Sequence, residues 1–189
     1  MADRTVCLCD YAGSAYQAIM EAGDFADLTV MLRARGEGTE RRAVESIRCH
    51  RLALAAWSPV MRRLIDRAAR DGHPGWVALG CDDLAPLRAL LRTFYSARVA
   101  LSHDSVWSIR KAAKELEVDV VVQQCDTYLD DHLNERTCVP WLAQAEAHNH
   151  PEFSDQCLAT IASSFDTVRS TYAFLSLDPS IVLRLLDCE

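Results

Sequence analysis

The chain has 189 residues, 50% of them hydrophobic and 25% charged, with only seven glycines and six prolines. That is enough apolar side chain for one or two packed cores, and it excludes a disordered or collagen-like chain. The formal charge is −7 and the basic residues are scattered rather than gathered in a stripe, which argues against a nucleic-acid partner. A membrane span needs roughly 20 consecutive apolar residues, and the longest runs, such as Val118 to Val122 interrupted by Asp119, fall far short, so no membrane partner is expected.

The first residues, Met1-Ala2-Asp3-Arg4, lack the basic start and apolar run of a secretory signal. The eight cysteines are therefore expected to stay free thiols in a reducing compartment, the cytoplasm first and the nucleus second. Thr5 to Cys9 is an apolar segment, followed by a helix over Ser14 to Ala22 that stops at Gly23. Asp27 to Arg33 is rich in strand formers, and a polar loop from Ala34 to Arg42 separates it from a second strand around Ser46 to Cys49, giving a β-hairpin. His50 to Trp57 reads helical, and Ser58-Pro59 supplies a cap and a first-turn proline for the next helix, to about Ala69.

After the turn cluster Asp71 to Gly75, Trp76 to Leu79 is a short strand. Leu84, Leu87, Leu90, Leu91 and Phe94 then form one broad apolar helix face, and Arg98 to Leu101 is expected as a short edge strand. Everything beyond is helical. Val106, Ile109, Ala113 and Leu116 share one face, and Val118, Val121, Val122, Cys125 and Leu129 another, up to about Leu133. Asn134 is expected to cap the next helix, patterns follow at Val139 to Ala147 and Phe153 to Phe165, and a last helix begins at Asp178-Pro179. The chain divides near 133 into an α+β part, 1–133, and a helical part, 134–189, short enough to look incomplete.

The run Cys49-His50-Arg51-Leu52-Ala53-Leu54-Ala55-Ala56-Trp57-Ser58-Pro59-Val60-Met61 resembles the central signature of the BTB/POZ domain. Phe25 to Val30 resembles that family's opening strand, and Phe94 to Val99 its Phe-x-Tyr-Thr-Gly-x-(apolar) segment. Ala112 to Leu116, Cys125 to Leu129, Asn134 to Cys138 and Leu175 to Asp178 are similar to the passage from BTB into the BACK region of BTB–kelch proteins. The resemblance implies a BTB/POZ fold, a small β-sheet flanked by helices, with an all-helical BACK-type extension. It also implies a non-catalytic homodimeric adaptor that holds the cullin-3 N-terminal domain of a ubiquitin ligase and presents a substrate protein bound outside this chain. The rival is a self-association module without cullin binding, serving transcription or a host–viral interaction; the helices after Asn134 favour the adaptor.

Within that frame Asp27, His50, Arg51 and Ser58 are structural polar residues, with Arg51 a positive neighbour for Asp27. Asp27, His50 and Ser58 also name a Ser-His-Asp set, but no G-x-S-x-G elbow surrounds Ser58. Cys7-x-Cys9 and His148-x-His150 lack the paired knuckles of a zinc site, and no glycine-rich phosphate loop is present, so neither metal nor cofactor is expected. The dimer interface is assigned to Val6, Leu8, Tyr16, Ile19 and Met20, because a terminal strand and short amphipathic helix need a partner's surface. The cullin surface is assigned to Leu64, Ile65, Ala69, Asp71, Phe94 and Tyr95, with Tyr95 either an aromatic anchor or a residue closing its helix over the core. Ala69-Arg70-Asp71 stands where cullin-binding relatives often carry an apolar-x-Glu motif, so the apolar element is reduced to a methyl group.

Overall fold

A computed structural model of the chain describes residues 9–34, 43–81, 83–175, 177 and 181–182. The Val6 to Leu8 strand and the Asp178-Pro179 helix start lie outside the described residues. The chain divides into two compact units, Met1–Val122 and Gln123–Glu189.

The first unit opens with helix α1 (Cys9–Ala22), which starts five residues before the expected Ser14. The extra turn includes Gly13, and a Cβ there would sit 2.9 Å from the carbonyl oxygen of Ser96, so the absent side chain permits the close approach. Gly23 ends α1 as the sequence indicated, in the left-handed conformation at φ +68°. Strands β1 (Leu28–Ala34) and β2 (Ala43–Cys49) form the expected antiparallel pair, with Val30 opposite Ile47 and an irregularity between Leu32 and Arg33. Strand β3 (Trp76–Cys81) runs parallel to β1 on its other side, so the sheet order is β2-β1-β3. Alternation along β1 buries Leu28, Val30 and Leu32 on one face, and β3 adds Val77 and Leu79.

Between β2 and β3 the chain forms α2 (Arg51–Trp57) and α3 (Pro59–Arg70). Helix α4 (Leu84–Ser96) is capped by Asp83, whose carboxylate accepts from the Ala85 amide at 2.9 Å. It buries Leu87, Leu90, Leu91 and Phe94 of the stripe that the spacing defines, and leaves Leu84 in its first turn half-buried. Its end is at Ala97, held at φ +52°, where the family segment quoted above carries glycine. The expected edge strand at Arg98 to Leu101 does not form. The Ser96 hydroxyl accepts from the Arg98 amide at 3.2 Å and donates to the Arg98 carbonyl at 3.1 Å, curling the chain, and no described strand offers this segment a ladder. Helix α5 (Val106–Glu115) buries Val106, Ile109 and Ala113 as patterned. Helix α6 (Asp119–His132) follows, and the division between the units falls within it, while the sequence pattern changes at its end.

The second unit contains α7 (Cys138–Ala147), α8 (Pro151–Ser163) and two single-turn helices, α9 (Phe165–Val168) and α10 (Tyr172–Leu175). Asn134 does not cap α7 directly. Its side-chain oxygen accepts from the Arg136 amide at 2.9 Å, forming a local turn, and α7 begins four residues later. Trp141 of α7 and Phe153 of α8 are 6.1 Å apart between ring centres, and Leu142, Ala145, Leu158 and Ile161 complete a buried apolar seam.

Candidate functional site

The signature residues converge where β2 turns into α2. The backbone N–H of His50 donates to the Tyr95 hydroxyl at 2.9 Å. The ring Nε2 lies 2.8 Å from the Asp24 carbonyl oxygen, which only accepts, so Nε2 carries the proton. In the neutral ring Nδ1 is then the acceptor, and the Tyr95 hydroxyl, 3.1 Å away, donates to it. Burial pushes the neighbouring Cys49 thiol up to about 11, against a smaller opposite pull from its hydrogen bond with Tyr95. The Tyr95 phenol is likewise raised, chiefly by its burial.

Asp27 meets Arg51, but not as the sequence suggested: its carboxylate accepts from the Arg51 backbone N–H at 2.8 Å, while the guanidinium donates to the Pro74 carbonyl. An acidic group at the first N–H of α2 suits the positive end of a helix. Ser58 is fully buried. Its hydroxyl accepts from the Met61 amide at 3.1 Å, capping α3, and donates to the Leu116 carbonyl at 2.6 Å. The Ser-His-Asp set is thus not a relay, because each member is committed to a different partner.

Of the residues assigned to the cullin surface, Ile65, Phe94 and Tyr95 are buried in their own chain. Phe94 stacks on Trp57 at 5.9 Å between ring centres, and Tyr95 is held by His50, so these two rings belong to the packing beneath α2. Leu64 is half-buried, while Ala69 and Asp71 are exposed at the end of α3. Of the dimer-interface residues, Tyr16 is 59% exposed, Ile19 is half-buried and Met20 is buried within its own unit; Val6 and Leu8 lie outside the described residues.

Two residues that the sequence reading missed are the most prominent on this surface. Phe25 is 88% exposed and held at φ +57°, a conformation that costs a bulky residue strain, and Leu52 is 83% exposed. They flank the hydrogen bonds that tie Asp24 and Asp27 to the start of α2. Periodicity is silent on Leu52 because every residue of α2 after Arg51 is apolar.

Among the described residues no group of three or more His, Cys, Asp or Glu is placed to hold a metal, and no helix is long and apolar enough to cross a membrane. Cys49, Cys125, Cys138 and Cys157 are buried, and none of the four is in a disulfide among the described residues.

The family model for the BTB/POZ domain matches residues 16–133. Kelch-like protein 8 of Mus musculus is 25% identical over 177 residues, 94% of this chain and 26% of that protein. Kelch repeat and BTB domain-containing protein 2 of Homo sapiens is 24% identical over 165 residues, 87% of this chain and 25% of that protein. Kelch-like protein 41b of Danio rerio is 30% identical over 142 residues, 73% of this chain and 23% of that protein. The chain spans about a quarter of the length of these relatives.

Proposed function

The chain belongs to the BTB/POZ domain family, and from that premise we propose that it is a non-catalytic adaptor module that self-associates as a two-fold homodimer and binds the N-terminal domain of cullin-3. The observation that carries the dimer is the pair Phe25 and Leu52, large apolar side chains standing in solvent on a strained turn and an otherwise apolar helix. Strain at an exposed aromatic persists where a bound state repays it, and an isologous contact buries the same patch on both copies. On α1, Tyr16 is exposed and Ile19 half-buried, so both are available to the same contact. The similarity to Kelch-like protein 8 covers 177 of 189 residues and so reaches into the helices after 133, which supports a BACK-type extension and the adaptor reading. A substrate protein bound by a region outside this chain, and a cytoplasmic or nuclear site of action, belong to the same proposal.

The exposed end of α3 carries the cullin contact in this reading. Ala69 there offers a methyl where the apolar-x-Glu motif has a larger group, a deficit of about 1–2 kcal/mol of buried area, or roughly tenfold in affinity. Light scattering should show a dimer at micromolar concentration, and a Phe25→Ser/Leu52→Ser double variant should be a monomer with an unchanged circular dichroism spectrum. A monomeric parent protein overturns the dimer. Calorimetry against the cullin-3 N-terminal domain should show binding that Ala69→Met tightens; no binding by either protein selects the second reading, self-association without a cullin, which the reduced motif at Ala69 favours.

A further inference from the structure

The three-stranded sheet ends at β2, which pairs only with β1 among the described residues. Along β2 runs a cavity of about 380 Å³. Its lining includes Glu45, Ser46, Ile47 and Arg48 in succession, and consecutive residues of a strand line one groove only along the strand's edge, since alternate side chains point to opposite faces. The C-terminal turn of α1, Met20 to Gly23, forms one wall, and Arg88 and Arg92, one turn apart on α4, form the other.

The charges here are not balanced. The Arg88 guanidinium donates to both oxygens of Glu45, at 2.5 and 3.3 Å, so that pair satisfies itself and fixes α4 against β2. Arg48 and Arg92 are exposed, and among the described residues neither makes an ion pair or side-chain hydrogen bond. The Arg48 side chain lies over the end of α1, where its Nη1 would be 3.3 Å from a Cβ at Gly23. The remaining charged lining residue, Glu21, accepts from the Gln17 amide at 2.9 Å. Two uncommitted cations therefore face one anion in a chain whose net charge is −7. Met20 and Ile47 add apolar surface to the lining.

We propose that this groove is a docking site for an acidic peptide segment of another protein, which lies extended along β2, adds to its open edge and places carboxylates on Arg48 and Arg92. An open strand edge supplies backbone donors and acceptors for strand addition, and side-chain pockets on either side select the sequence. The positive groove on a negative molecule supplies the selectivity, because an acidic segment is repelled elsewhere on the surface. Arg48 and Arg92 belong to neither the cullin nor the dimer surface proposed above, so this reading stands whether or not those do.

The test uses a fluorescein-labelled octapeptide alternating valine with glutamate, titrated with the full chain and followed by anisotropy. Saturable, salt-sensitive binding is expected, with amide shifts in two-dimensional NMR at Glu45 to Arg48 and Gly23. An Arg48→Glu/Arg92→Glu variant should weaken binding about tenfold or more, whereas Arg136→Glu, a charge change in the second unit, should leave it within about twofold. Should the double reversal lower the thermal midpoint, Arg48→Gln/Arg92→Gln serves in its place and should show the same direction of loss. Absence of binding overturns the proposal. So does equal binding of the glutamine counterpart, an equal loss with Arg136→Glu, or equally tight binding of a single-stranded oligonucleotide at matched charge.

Discussion

Replacing Ser58 by alanine removes one oxygen and leaves two backbone groups without partners. The Met61 amide is among the N-terminal donors of α3 that no residue within that helix can satisfy, and the Ser58 hydroxyl accepts from it at 3.1 Å. The Leu116 carbonyl, just beyond α5, receives the hydroxyl proton at 2.6 Å. Loss of a serine cap costs about 1 kcal/mol, and a buried carbonyl left without a donor costs about 1–3 kcal/mol more. No water replaces the hydroxyl without rearrangement, because Ser58 and Met61 are fully buried. The expected loss is therefore about 2–4 kcal/mol, or roughly 6–12 °C in thermal midpoint for a chain of this size. Urea unfolding followed by tryptophan fluorescence measures it, and native-state hydrogen exchange should show the Met61 amide exchanging faster in the variant. A loss below about 0.5 kcal/mol with Met61 protection intact would refute the double role of this hydroxyl.

The sequence exposed most of the elements because most are amphipathic and closed by recognisable residues. Ser58 with Pro59, and Gly23 with the apolar stripe before it, are signals that act within one turn, and the structure uses them as the sequence indicates. Arg98 to Leu101 misled because a strand needs a neighbour, and a run of strand formers says nothing about whether an open ladder lies beside it. The Asp27 and Arg51 pairing was right in its partners and wrong in its atoms, since a charge match in sequence does not distinguish a guanidinium from a helix N–H. Tyr95, Phe94 and Met20 show a further limit: an apolar residue on a helix reads the same whether its own chain or another covers it, and only burial decides. Phe25 and the edge of β2 were invisible because exposure, backbone handedness and sheet order are properties of the folded chain alone.

Tyr95→Ala should lower stability by about 3–5 kcal/mol in urea unfolding, because the ring is buried and its hydroxyl serves His50; near-parental stability would return Tyr95 to the role of a surface anchor. Gly13→Ala, although alanine is the better helix former, should lose about 1–3 kcal/mol, since its Cβ would stand 2.9 Å from the Ser96 carbonyl oxygen; a rise in thermal midpoint would show that α1 is free to move off α4. The chain should also become unstable in alkali through its buried thiols. Below about pH 8.5 a thiol keeps its proton in both folded and unfolded chains and contributes no pH dependence. Above that, the unfolded Cys49 loses its proton while burial keeps the folded thiol protonated up to about 11, so unfolding releases a proton and stability falls as the pH rises through this window. Cys157, raised by burial to about 12, acts in the same direction. The Cys49 share is about 2–3 kcal/mol by pH 11. Urea midpoints between pH 7.5 and 10.5 should fall more steeply for the parent than for Cys49→Ala, whatever the offset between the two at neutral pH. Parallel curves would mean that the Cys49 thiol ionises as readily in the folded chain as in the unfolded one.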